Sequence, residues 1–219
     1  MKLTSMDISA TASASSIVFE ALRKAIIQGE LEEGEPLRQD EIARLFNTSR
    51  IPVREAISRL EEQGLVKTRR YKGAVVTELS PRETEEIFDL RALLEPEIIR
   101  NAVPRMTPEL LTAAHEKCAA FSSSRDPMEW GDLNRDFHET LYSASDLTFF
   151  KEIAHNAIDR VERQIRAQLV MSNGMERAGR EHDAIIEACG AGDADRAADL
   201  TRCHIAGAKA SLLEHLTEA

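Results

Sequence analysis

Apolar positions recur with the period of an α-helix over most of the chain, and only one stretch breaks to a shorter period. Over residues 15–28, Val18, Leu22, Ile26 and Ile27 form one stripe, the mark of an amphipathic helix. Gly29 follows, then an acidic turn at 31–36. In residues 41–46, Ile42, Leu45 and Phe46 fall at i, i+3, i+4, which predicts a short helix with that face buried. Asn47, Thr48 and Ser49 supply a polar turn and an N-cap. A further helix is expected over 51–63, with Val53, Ala56, Ile57 and Leu60 inward and Gly64 as its stop signal. The period then changes. Two short β-like runs, 65–68 and 74–77, flank a basic tip at 69–73. Helix, turn, helix and basic hairpin together predict a winged helix-turn-helix over 15–79, a fold that lays its second helix in a DNA major groove.

From residue 81 onward the pattern contains no convincing strand. Ser80 and Pro81 mark a break and a helix start. Six helical stretches follow, at 81–103, 107–121, 127–144, 146–172, 175–189 and 193–216, with Pro96 expected to kink the first. The fold class is therefore mainly α, with an all-α six-helix bundle over 80–219. Residues 1–14 are polar and small and read as a disordered tail without the apolar core of a signal peptide. No run reaches the ~20 apolar residues of a membrane span. A cytoplasmic protein without a membrane partner is expected.

Charge sharpens this division. The 219-residue chain carries 28 Lys and Arg against 38 Asp and Glu, a net charge of −10. An acidic protein is a poor nucleic-acid binder on average, but here the acid is segregated. Residues 1–80 hold 12 basic and 12 acidic residues, whereas residues 44–72 hold 8 basic and 3 acidic. The positive charge sits on the segment that should face phosphate. The three cysteines, Cys118, Cys189 and Cys203, have no metal-type spacing and read as free thiols.

The stretch LRKAIIQGELEEGEPLRQDEIARLFNTSRIPVREAISRLEEQGLV, followed by RRYKGAVV, resembles the GntR family of bacterial transcription regulators. The later motifs LRALLEPE, LNRDFHETLY, REHDAIIEACGAGDADRAADL and RCHI, in that order, resemble its FadR subfamily with an FCD-type ligand-binding domain. The resemblance implies a homodimer that binds an operator inverted repeat in double-stranded DNA. It also implies that Ser49, Arg50 and Arg54 begin the recognition helix. Arg50 and Arg54 are four apart and share a helix face. Arginine is the side chain best able to bond guanine or clamp phosphate in a bidentate way. Gly73 permits close approach of the wing to DNA. Arg69, Arg70 and Lys72 read either as phosphate contacts or as ordinary exposed charges. Asp40 stands where some members carry a basic residue, which removes one phosphate contact.

The resemblance also singles out His138, His182 and His204, among six histidines, as falling where FCD domains hold a metal. Asn134 and His138 are four apart on one expected helix and reach one point, so Asn134 is the candidate fourth ligand. Imidazoles converging in a helical bundle suit a divalent transition metal such as zinc or nickel. Metal-binding members often have Asp at the position of Asn134, and a neutral amide is the weaker ligand. The alternative is a histidine-lined pocket that takes an organic anion directly. His115, His155 and His215 read as surface or structural. The implied effector is a small organic acid. Arg91 either pairs with its carboxylate or pairs with Glu95 at i, i+4, and Arg163 and Arg166 are further candidates. Two other functions compete. One is a metal sensor. The other is a metalloenzyme, against which no HExxH glutamate is present and Glu181, beside His182, is expected on a different side of its helix.

Overall fold

A computed structural model describes residues 13–127, 129–171 and 174–218. The expected tail therefore lies outside the described residues up to residue 12, as do Met128 and residues 172–173 of the break expected at 172–174, whose Gly174 instead begins a helix. Ser13 and Ala14 do not belong to a tail. Ser13 caps the first helix, its hydroxyl accepting from the Ser16 N–H at 3.1 Å. The chain divides into two compact units between Glu78 and Leu79.

The first unit holds α1 (Ala14–Gln28), α2 (Gln39–Leu45), α3 (Arg50–Glu62), β1 (Val66–Arg69) and β2 (Gly73–Val76). Val18, Phe19, Leu22, Val53, Ala56, Leu60 and Val66 meet in its core, so the helical stripes and the inner face of the hairpin bury one another. The strands pair antiparallel with Val66 opposite Val76 and Arg69 opposite Gly73. Both strands are thus offset by one residue from the expected runs. The cause is a tight tip: Tyr71 and Gly73 adopt left-handed φ of 67° and 72°, and the Lys72 N–H donates to the Arg69 carbonyl at 3.1 Å. The acidic turn also contributes more than expected. The Leu37 N–H donates to the Ala74 carbonyl at 2.8 Å and the Val76 N–H to the Glu35 carbonyl at 2.9 Å, so this segment lines the free side of β2. Leu45 is a correction. It is 80% exposed rather than buried, because the seven-residue α2 turns Ile42 and Ala43 inward instead.

The second unit is the helical bundle: α4 (Pro81–Ala102), α5 (Pro108–Ser123), α6 (Trp130–Tyr142), α7 (Thr148–Met171), α8 (Gly174–Gly190) and α9 (Ala194–Glu218). Ser80 and Glu83 form a capping box at the start of α4, which runs through Pro96 without ending. A single 3-10 turn, Val103–Arg105, follows it. The third helix begins at Trp130, three residues later than expected. The preceding segment is held as a turn, with the Glu129 N–H donating to the Asp126 carbonyl and the Trp130 indole N–H to the Ser124 carbonyl at 3.3 Å. Helix α9 packs along α4 and against α8, and α5 packs on both α6 and α8. This pairing brings α6, α8 and α9 around one buried point. No helix among the described residues is long and apolar enough to cross a membrane.

Candidate functional site

The exposed face of α3 is built by one helix alone. Val53, Ala56, Ile57 and Leu60 anchor it in the core, which turns Arg50, Arg54 and Ser58 to solvent. Ser49 occupies the N-cap position with no side-chain cap bond. Arg50 is not idle: its Nε forms an ion pair with Asp40 of α2, both side chains being more than half exposed. Arg59, a turn beyond Arg54, lies with its guanidinium 3.8 Å from the centre of the Phe19 ring. On the wing the three cations differ. Arg69 pairs with Glu78 at the hairpin stem, Arg70 lies 4.9 Å from the ring centre of the exposed Tyr71, and Lys72 stands exposed at the tip beside Gly73.

In the helical unit, Asn134 and His138 of α6, His182 of α8 and His204 of α9 are all buried, His182 completely. The imidazole centres of His138, His182 and His204 lie 4.8–5.2 Å apart. One ring nitrogen from each falls within 4.8 Å of the others. Phe137 stacks on the His182 ring at 4.1 Å and Phe121 meets it at 4.9 Å, so apolar packing fixes that imidazole. Asn134 opens with His204 onto the small cavity beside the cluster.

Hydrogen bonding determines which nitrogens remain. The Tyr142 hydroxyl donates to Glu95 Oε2 at 2.7 Å and lies 3.4 Å from His138 Nδ1. With its proton spent on Glu95, the hydroxyl oxygen accepts from His138 Nδ1–H, which leaves a lone pair on Nε2. That Nε2 is buried without a hydrogen-bond partner, and so are both nitrogens of His182. His204 Nδ1 donates to Glu181 Oε2 at 2.7 Å, which leaves its Nε2 as the remaining ring nitrogen. Burial pushes His138 and His182 well below the usual imidazole range, and the neighbouring His204 pushes both the same way. Both rings are therefore neutral, the form that binds metal. Burial and the adjacent Glu95 hold Tyr142 well above the usual phenol range, so it stays a donor. Buried imidazole nitrogens without partners are costly. A cation at this point would satisfy one nitrogen of each ring, and the residues present fit one.

Glu181 makes no hydrogen bond to His182 but reaches the third histidine instead. Its side chain crosses from α8 to His204 on α9, because the two helices pack as neighbours. A carboxylate behind a ligating histidine fixes the ring and raises its basicity. Arg91 takes the second of its two expected roles: its Nε donates to Glu95 Oε1 at 2.6 Å, both side chains being buried. It also lines the cavity of about 20 Å3 next to Asn134, Glu181 and His204. Arg163 and Arg166 are not among the residues lining that cavity. Arg166 sits instead against α6, 3.8 Å from Asp132. Sequence reasoning missed Arg177, which lines the cavity, and the Tyr142–Glu95 pair. Tyr142 had a signal, since it follows His138 by one helical turn, and Glu95 was legible only as the partner of Arg91; Arg177 had none. His115 is exposed and His155 lies 3.9 Å from Glu139, while the side chain of His215 lies outside the described residues. Burial raises the Cys118 and Cys189 thiols to about 12, and all three cysteines are free.

A winged helix-turn-helix joined in one chain to an all-helical unit defines a two-part transcription regulator. The chain matches the model of the bacterial regulatory proteins, gntR family, over residues 14–76 and that of the FCD domain over residues 86–207, and it belongs to the FCD-containing GntR family of regulators. It is 29% identical over 196 residues to the uncharacterized HTH-type transcriptional regulator BphR of Paraburkholderia xenovorans (strain LB400), covering 85% of this chain and 80% of that protein. It is 27% identical over 197 residues to the HTH-type transcriptional repressor GlaR of Escherichia coli (strain K12), covering 84% and 89%. The solved structure of E. coli McbR/YncC matches with a TM-score of 0.83 over 94% of this chain and 100% of that one; at 21% identity this likeness speaks for the fold alone. Its relatives are regulators and repressors of transcription, and the chain is a regulator rather than an enzyme.

Proposed function

We propose that this regulator binds an operator inverted repeat as a homodimer in the cytoplasm, and that a small organic acid bound at a metal site among α6, α8 and α9 sets its affinity for DNA. Ser49, Arg50 and Arg54 of α3 read the major groove, with Arg69, Arg70, Lys72 and Gly73 of the wing beside it. His138, His182 and His204 hold a divalent transition metal, zinc or nickel, with Asn134 as the fourth ligand. Such an ion supplies positive charge and open coordination positions that a carboxylate can complete.

One observation carries the sensing half of this reading: three buried histidines converge from three helices, and ring nitrogens of two of them, His138 and His182, have no hydrogen-bond partner. It also bears on the alternative of a metal-free anion pocket. His138 and His182 are neutral, and neutral rings give an organic anion no charge to pair with. In the proposed site Glu181 and Tyr142 orient His204 and His138, and Asn134 offers an amide oxygen. Coupling to DNA requires that the acid bind the DNA-competent and DNA-incompetent states with different affinity. The test is elemental analysis of tag-free protein together with operator binding before and after chelation. Near-stoichiometric zinc or nickel supports the reading. Metal-free protein whose acid binding ignores chelators contradicts it. A response of DNA binding to the ion itself, with no effect of any acid, identifies a metal sensor instead.

A further inference from the structure

The cavity beside the histidines holds two arginines in opposite states. Arg91 is 3% exposed, and Glu95 Oε1 at 2.6 Å already balances its charge. Arg177 on α8 has a side chain 38% exposed, yet its Nε is enclosed and has no hydrogen-bond partner. Its ion-pair partner, Glu181 Oε1, stands 3.6 Å away, while Glu181 Oε2 is engaged by His204 at 2.7 Å. Glu181 is thus shared, held firmly on the histidine side and loosely on the arginine side.

Arg177, Glu181 and His204 line two spaces at once. The inner one is the cavity of about 20 Å3 with Arg91 and Asn134; the outer is a recess of about 260 Å3 between α8 and α9, bordered by Arg180, Leu200 and Cys203. The inner space has room for little more than a water. The outer one is large enough for a small organic acid. The side chains common to both form the wall between them. Across from this wall α9 presents Gly207, where a Cβ would lie 3.8 Å from Glu181 Oε1 and 4.0 Å from Arg177 Cζ. No side chain from that position backs the pair.

We propose that Arg177, not Arg91, is the carboxylate-selecting residue of the sensing site, and that the acid enters through the α8–α9 recess by taking the place of Glu181 on the guanidinium. This rests on the reading of the helical unit as an acid sensor. A carboxylate from solvent offers Arg177 the bidentate hydrogen bonding that Glu181, pulled toward His204, does not give it. Glu181 keeps its bond to His204 in the exchange, so the histidine cluster is not disturbed. The ligand class is a small carboxylic acid with a second oxygen function, one end for the guanidinium and the other directed at the histidines.

Lactate, malate and citrate, titrated calorimetrically into the full-length metal-loaded protein, test this with Arg177→Gln, Arg177→Lys and Gly207→Leu. The acid that binds the natural chain is expected to weaken by about tenfold or more in Arg177→Gln, with partial recovery in Arg177→Lys and metal content unchanged in both. Gly207→Leu sets a side chain against Glu181 and Arg177 without altering a charge and is expected to weaken binding of that acid. Equal affinity in Arg177→Gln and the natural chain overturns the proposal and leaves the acid-sensing reading standing. If none of the three acids binds the natural chain, that reading falls and this one with it.

Discussion

The outer face of α3 and the histidine cluster use polar groups in opposite ways. Arg50 and Arg54 stand in water on a single helix whose other face is already buried. Solvent and, for Arg50, the exposed pair with Asp40 satisfy their charge, so folding bears little cost for them, and their contribution begins only when a polyanion displaces its counterions. His138, His182 and His204 are brought together by three helices and removed from water, and His138 and His182 are left with nitrogens that nothing in the fold satisfies. A surface that waits for a ligand can be complete without it. A buried site that waits for one stays costly until it is filled. The first should therefore tolerate substitution with no loss of stability, and the second should tie stability to occupancy.

The largest effect is expected at His182, whose ring is fully buried against Phe137 and Phe121. His182→Ala should lose bound metal and roughly 2–5 kcal/mol of stability, the range for truncating a large core side chain. Denaturant unfolding with and without chelator measures this, and unchanged stability would show the cluster to be loosely packed. Next in size is the dependence on pH. Burial holds the folded pKa of His138 and His182 well below the ordinary imidazole value, so the unfolded chain takes up protons that the folded chain refuses. Their contribution is full above about pH 6.5 and is lost as pH falls below it, at on the order of 1 kcal/mol per pH unit for the chelated protein. A flat stability profile between pH 7 and 5, values chosen about that ordinary imidazole pKa, would contradict it.

The effects on α3 are smaller and move a different quantity. Arg50→Ala and Arg54→Ala should each cost about 1–3 kcal/mol in operator binding, with stability held within about 0.5 kcal/mol. Unchanged operator affinity in both would remove α3 as the reading helix. The smallest effect is expected at Asp40, whose pair with Arg50 is exposed. Exposed pairs contribute about 0–1 kcal/mol. Asp40→Ala should raise operator affinity by no more than several-fold, because it frees Arg50 and removes a repelling charge. It should also steepen the salt dependence of binding, which gel-shift titration at several salt concentrations measures.

The same contrast explains what the sequence made legible. The stripe of α1 and the inner face of α3 were plain because a single helix needs only its own spacing to declare which side is buried. Leu45 was misjudged because α2 is too short for periodicity to choose between neighbouring positions; packing turned Ile42 and Ala43 inward instead. The hairpin runs slipped by one residue because Tyr71 takes a left-handed conformation that no propensity signals. In the helical unit Asn134 and His138 share a turn and could be read together. Joining His182 and His204 to them needed the family resemblance, although the short link at 190–193 already makes their two helices antiparallel neighbours. The role of Glu181 was not legible, because its partner lies on another helix. Arg177 was invisible among many arginines, because its distinction is a buried Nε without a partner, which only packing creates.

The two regions are joined functionally only if filling one changes the other. The direct measurement is operator affinity of the metal-loaded protein with and without saturating amounts of whichever of lactate, malate and citrate it binds, repeated with His204→Ala. The predicted result is a change of several-fold to about a hundredfold, equivalent to ~1–3 kcal/mol of coupling, that disappears in the variant. An acid that binds beside the histidines and leaves operator affinity unchanged would contradict it.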